Sequence, residues 1–173
     1  MNNQKAKYTA QEIAKWFLYK NYAEQKQKVA ANDDYEVYEG ITHLKLQKLL
    51  YNAQGVCLAI TGNKLFDDDL EAWDHGPVIR NVYDTYCVFG RNPIIIPDTP
   101  ENNEIVSKIE NDVEIRDILE MVYDSFSIYT AWQLREMSHK KNSPWDKTEK
   151  NQIIDVNVIK EYFEKEVVEW IRK

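Results

Sequence analysis

The segment Lys45-Leu46-Gln47-Lys48-Leu49-Leu50-Tyr51-Asn52-Ala53-Gln54-Gly55 leads into Gly62-Asn63-Lys64-Leu65-Phe66 and then Glu71-Ala72-Trp73-Asp74-His75-Gly76-Pro77-Val78. Leu46, Leu49, Leu50, Ala53, Cys57 and Ile60 recur on a helical period, which predicts a core helix with one apolar stripe. Lys45, Lys48 and Asn52 then point away from that stripe. Gly62 reads as the left-handed cap, because a residue without Cβ takes positive φ at little cost, and Asn63 continues the turn. Gly76-Pro77 reads as the opening of another helix, where proline gives up an N–H that has no intrahelical partner.

Outward from this organiser, the 173 residues suit a single domain, residues 1–173, with 43% apolar and 12% aromatic content to fill one core. Neither a long apolar run nor a signal-peptide pattern is present, so a soluble cytoplasmic protein is expected. Cys57 and Cys87 lack Cys-x-x-Cys spacing and read as thiols within helices. A net charge of −7 argues against broad nucleic-acid or anionic-membrane binding, which depends on neutralising phosphate with Lys and Arg.

Thr9-Ala10-Gln11-Glu12 forms a capping box flanked by Tyr8 and Ile13, opening a first helix with Ile13, Trp16, Phe17 and Ala23 inward. Lys20, Glu24, Lys26 and Lys28 read as its solvent side. Residues 30–40, with the breaker Asn32-Asp33-Asp34 and with Tyr35 and Tyr38, read as a connection. Asp67-Asp68-Asp69 is a solvated turn, since metal loops alternate their ligands. A short β segment before Gly76 is compatible with the pattern. The helix opened at Pro77 ends at Gly90, and Ile94-Ile95-Ile96 between prolines fits a packed loop or edge strand. Residues 101–126 are helical with a break near Asn111-Asp112, and Thr130-Ala131-Trp132-Gln133 is a second capping box. Ser143-Pro144-Trp145 reads as a further helix start. Asp155 caps the last helix, whose face is Ile159, Phe163, Val167 and Trp170. The fold class is thus mainly α, a compact domain of about six helices with at most a small β element.

Three histidines, His43, His75 and His139, have no His-x-x-x-His spacing, so no metal site is expected. No Gly-x-Ser-x-Gly, local cysteine-nucleophile signature or glycine-rich phosphate loop occurs, so no catalytic residue is assigned and an enzyme is the minor reading. A DNA-binding protein would need a basic recognition helix, whereas Arg80, Arg91, Arg116, Arg135 and Arg172 are dispersed.

The segments Leu46 to Tyr51, Gly62 to Phe66, Glu71-Ala72-Trp73 with Gly76-Pro77-Val78, and Val82-Tyr83 resemble, in order and spacing, the Panacea domain of SocA-like and GepA-like proteins. Ser138-His139 followed by Pro144-Trp145 is similar to the family's Thr-His…Pro-Trp signature, and Tyr162-Phe163 sits where its closing aromatic helix would be. The resemblance covers about residues 41–163, with residues 1–40 as an N-terminal helix and connection. Ser138 stands where threonine is usual, Asn52 where a second tyrosine is common, and Lys140-Lys141 lengthen the segment before Pro144. The resemblance implies a cytoplasmic antitoxin without cofactor, sometimes phage-associated, that neutralises a toxin encoded nearby by direct binding. In some members the toxin passes to a protease such as ClpXP. The alternatives are a DNA-binding autoregulator or a phage-associated protein with an unrecognised hydrolytic site. If the implication holds, the partner surface is expected at Lys45, Gln47 and Lys48 on the polar side of the organising helix, at Trp73, Asp74 and His75, and at His139 and Trp145. Their aromatic and cationic side chains suit contact anchors.

Overall fold

The organising helix, α2 (His43–Thr61), begins at Thr42, whose hydroxyl accepts from the Lys45 N–H, and ends at Gly62 with φ of 76°, whose N–H donates to Leu58 O. Both ends follow the sequence cues. In this computed structural model, residues 5–30 and 40–171 are described. The breaker at Asn32 to Asp34, and Tyr35, Tyr38 and Arg172, lie outside the described residues.

Around α2 are packed α1 (Ala10–Ala30), α3 (Arg80–Tyr86), α5 (Val113–Phe126), α6 (Ala131–Ser138) and the C-terminal rod. Between α1 and α5 lies α4 (Pro100–Glu110). The rod consists of α7 (Val156–Tyr162), a π-helical turn (Phe163–Val167) and α8 (Val168–Ile171). A hairpin of β1 (Glu71–Trp73) and β2 (Gly76–Val78) is the only named sheet among the described residues. Its other edge is lengthened by an isolated bridge from Glu71 to Ile153, with Ala72 and Leu70 exchanging backbone hydrogen bonds with residues 151–154. The arrangement is compact and mainly α, and its buried apolar side chains form one core.

Local chemistry accounts for most boundaries. Thr9 and Glu12 cap α1 reciprocally, and the same exchange between Thr130 and Gln133 starts α6. The break at Asn111-Asp112 separates α4 from α5, and Asp155 accepts from the Asn157 N–H to start α7. Asp67 accepts from the Ala6 N–H and Asp68 from the Ala10 N–H and the Asn81 amide, so this acidic turn holds the N-terminal segment. Cys57 is buried and Cys87 half-buried, both free, and burial pushes the Cys57 thiol up to about 11.

Four expectations fail, each for a local reason. Gly76-Pro77 does not open a helix. Gly76 closes the turn at φ of 97°, and Pro77 sits on the edge strand β2, where its missing N–H costs no ladder bond; α3 starts only at Arg80. Ser143-Pro144-Trp145 makes a single turn, because Ser143 Oγ is tied to Ser138 O and Trp145 is drawn to Trp73 O. Ile60 and Ala23 are exposed, Ile60 in the last turn of α2 and Ala23 just past Asn21, the last buried residue of α1. On the rod, Phe163 is buried but the inward position shifts from Val167 to Val168, since a π turn adds one residue to the repeat, and Trp170 is left exposed.

Candidate partner-binding face

The polar side of α2 does not face solvent. Lys45 is 3% exposed, Gln47 1% and Lys48 0%. The expected surface position of these three residues is therefore corrected: their polar atoms hold neighbouring backbone. Gln47 Oε1 accepts from the Ile79 N–H at 2.8 Å while its amide donates to Ile79 O at 3.3 Å, so the side chain pairs with β2's exit as another strand would. Lys48 Nζ donates to Pro77 O at 2.8 Å, and Lys45 Nζ to Ser127 O at 2.8 Å. Gln54 binds Leu65 and Phe66 in the same manner. Burial, seconded by the charge of Arg135, holds the Lys48 ammonium well below its ordinary range.

Gly76 explains why the hairpin can approach so closely. A Cβ there would stand 2.6 Å from Ser138 Oγ and 2.7 Å from Lys48 Nζ. The turn thus rests on the lysine and on the end of α6.

That contact brings Trp73, Asp74 and His75 to His139 and Trp145. The His139 and Trp145 rings lie against each other, tilted by 45° with centroids 3.6 Å apart, and Trp145 Nε1 donates to Trp73 O at 2.8 Å. His139 Nδ1 lies 2.7 Å from Arg135 O and Nε2 3.2 Å from Asp74 O. These two residues are a clasp that joins the segment after α6 to the hairpin turn. The five predicted residues outside α2 are brought together; the three on α2 lie beneath them.

The outer surface of the clasp has a chemistry of its own. Asp74 and His75 are exposed, and Lys150 pairs with Asp74 at 2.6 Å, a hydrogen bond that lowers the Asp74 carboxyl pKa. Arg135 reaches His75 Nδ1 at 3.4 Å and covers Trp132, which is 59% exposed. Trp132 and Arg135 thus belong to this face, whereas the capping box marks their segment only as a helix start. Their spacing of three on a helix, tryptophan beside arginine, was the available signal. On the inner side Trp73 lies against Tyr83 and under Arg80, and Glu71 holds both Trp73 Nε1 and the Arg80 guanidinium, which lowers the Glu71 carboxyl pKa. A cleft of about 280 Å³ opens there between His43, Gln47, Trp73, His75 and Tyr83. The pKa of His43 is lowered by burial. Arg80, Arg116 and Arg135 each pair with a carboxylate, which does not make a basic recognition face.

The family model described as Antitoxin SocA-like, Panacea domain, matches residues 46–146. The protein named Antitoxin SocA from Caulobacter vibrioides (strain NA1000 / CB15N) is 34% identical over 110 residues, 61% of this chain and 58% of that protein. The similarity therefore spans little more than half of that relative's length. No solved structure matches.

Proposed function

The chain belongs to the SocA-like, Panacea-domain antitoxin family, and from that premise we propose that it neutralises a toxin encoded beside it by binding the toxin directly, without turnover, in the cytoplasm. The contact we assign is the outer side of the clasp: Trp132, Arg135, Asp74 and His75, backed by Trp73, His139 and Trp145. The observation that carries this assignment is the exposed Trp132 under Arg135, continuous with the exposed hairpin turn and mounted on buried elements. Rigid aromatic and arginine anchors are where contact energy concentrates. Among the described residues no helix is long and apolar enough to cross a membrane, which suits a partner met in solution.

Co-expression with the product of the neighbouring gene tests the proposal. Trp132→Ala and Asp74→Lys alter only exposed side chains, so both are expected to melt as the parent does and to lose rescue of growth. Full rescue by both folded variants would put the toxin elsewhere on the molecule. The finer reading, that bound toxin is passed to a protease such as ClpXP, is supported only by family membership. It predicts that the toxin's half-life falls when the antitoxin is present and recovers in cells lacking that protease; an unchanged half-life with full rescue means sequestration.

A further inference from the structure

On the other side of α6 from the hairpin, a second cavity of about 280 Å³ lies between α2, the α5–α6 corner and the C-terminal rod. Its walls combine the aromatic and apolar side chains of Phe126, Met137, Phe163 and Trp170 with the polar side chains of Asn52 and Ser138 and the charged rim of Lys140 and Glu166. One wall is Tyr51, only 3% exposed, and its hydroxyl has no hydrogen-bond partner. An unpaired hydroxyl buried away from water costs free energy unless something arrives to accept from it. The Asn52 amide, also at this wall, is already committed to Lys48 O. Among the described lining residues, the Tyr51 hydroxyl is the polar side-chain atom that is fully buried without a partner.

The cavity depends on the irregular part of the rod. Gly55 has no side chain, and a Cβ there would collide with the Phe163 ring, which packs edge-on to Tyr51 with centroids 5.2 Å apart. The π turn begins at this phenylalanine, and with Val167 it lines the cavity. Turns of this kind are common at functional sites because they misalign the helix register locally. Lys140 and Glu166, both exposed, are among the lining residues.

We propose that this cavity is a binding site for a small aromatic molecule that carries one carbonyl-type acceptor, with the ring against Phe126, Phe163 and Trp170 and the acceptor on Tyr51 Oη. The volume is just below the usual range for small-molecule sites, and a few placed polar groups among apolar and aromatic walls are their usual composition. Burial raises the pKa of Tyr51 well above the ordinary tyrosine range, so the hydroxyl remains a donor at working pH. This site is separate from the clasp face and does not rest on the antitoxin reading.

Acetophenone and ethylbenzene are matched probes: one offers a carbonyl, the other does not. Titrated into the full chain and followed by amide shifts, acetophenone is expected to bind roughly tenfold more tightly, as one additional hydrogen bond would give. Tyr51→Phe keeps the ring and removes the donor, so the preference should vanish while ethylbenzene binding persists. Val167→Trp, which fills the cavity from its rim, should abolish binding of both. Equal affinities for the two probes in the parent, a preference retained by Tyr51→Phe, or no saturable binding of either would each overturn the proposal. Should Tyr51→Phe fail to fold, the parent's preference for acetophenone together with the loss of both probes' binding in Val167→Trp decides the matter.

Discussion

The polar edge of α2 and the outer rim of the clasp both carry side chains suited to partner contacts, and they have opposite surroundings. Lys45, Gln47 and Lys48 are buried with their polar atoms on backbone partners. Asp74, His75 and Trp132 are exposed, and their polar contacts are with other side chains or solvent. A motif residue that looks free of the core can still be structural when a neighbouring segment leaves backbone groups unpaired: β2 is an edge strand, and its Pro77 O and the Ile79 N–H just beyond it find their partners on α2. On the rim, Asp74 pairs with Lys150 and Arg135 with His75, at the surface rather than beneath a packed segment.

The comparison is broken most severely by attacking the stripe that holds both regions in place. Leu50 is fully buried, and Leu50→Asp puts an unpartnered carboxylate into the core. Loss of more than about 4 kcal/mol is expected, which leaves no cooperative thermal transition by far-UV dichroism. A soluble, cooperatively melting variant would mean that the stripe is not the core.

The next effect tests the contact between the two regions. Gly76→Ala combines a left-handed φ of 97° with close approach to Ser138 Oγ and Lys48 Nζ, and should cost about 3 kcal/mol. Gly62→Ala is the control, since at φ of 76° its Cβ would meet only Lys160 Nζ at 3.8 Å, and about 1 kcal/mol is expected from backbone strain alone. Denaturant midpoints that do not separate the two would show that the hairpin is not pressed onto α2. Gln47→Ala should then cost about 1–3 kcal/mol, because it leaves the Ile79 N–H buried without a partner. An effect below a few tenths would make the polar edge an ordinary surface.

How much of this was legible beforehand follows the range of the interactions. The two capping boxes, the Gly62 cap, the break at Asn111-Asp112 and the Asp155 cap are decided within a few residues and were readable. The role of Pro77 was not, because a helix start and an edge strand use the same missing N–H, and what distinguishes them is pairing with β1 and the bond from Lys48, 29 positions away. Nor was the π turn readable: Val167 and Val168 are both apolar, and the register choice is made by packing of Phe163 on Gly55. The clasp residues were identified by motif, but their outer neighbours Trp132 and Arg135 were not, since a tryptophan early in a helix reads equally well as core.

Lys48 offers the smallest and most specific test. Its pKa is held well below the ordinary 10.5 by burial, with Arg135 as the second cause, while in the unfolded chain it returns to that value. Between the two pKa values the unfolded chain binds a proton that the native chain does not, so stability rises with pH across that window, by at most about 1.4 kcal/mol per unit. Lys48→Met keeps the length of the side chain, gives up the bond to Pro77 O and has nothing to titrate. Its stability should therefore be flatter than the parent's as pH rises through the window, and the parent should gain on it steadily up to 10.5. Tyr8, Tyr51 and Tyr86 are raised mainly by burial and lower stability above pH 10, but they do so in both chains and cancel in the difference. His43, lowered by burial, destabilises the fold as pH falls below 6.5, again in both. Urea unfolding at successive pH values measures the two curves. Parallel curves would mean that Lys48 keeps its charge in the fold, and the polar edge of α2 would then be an ionic anchor for the hairpin.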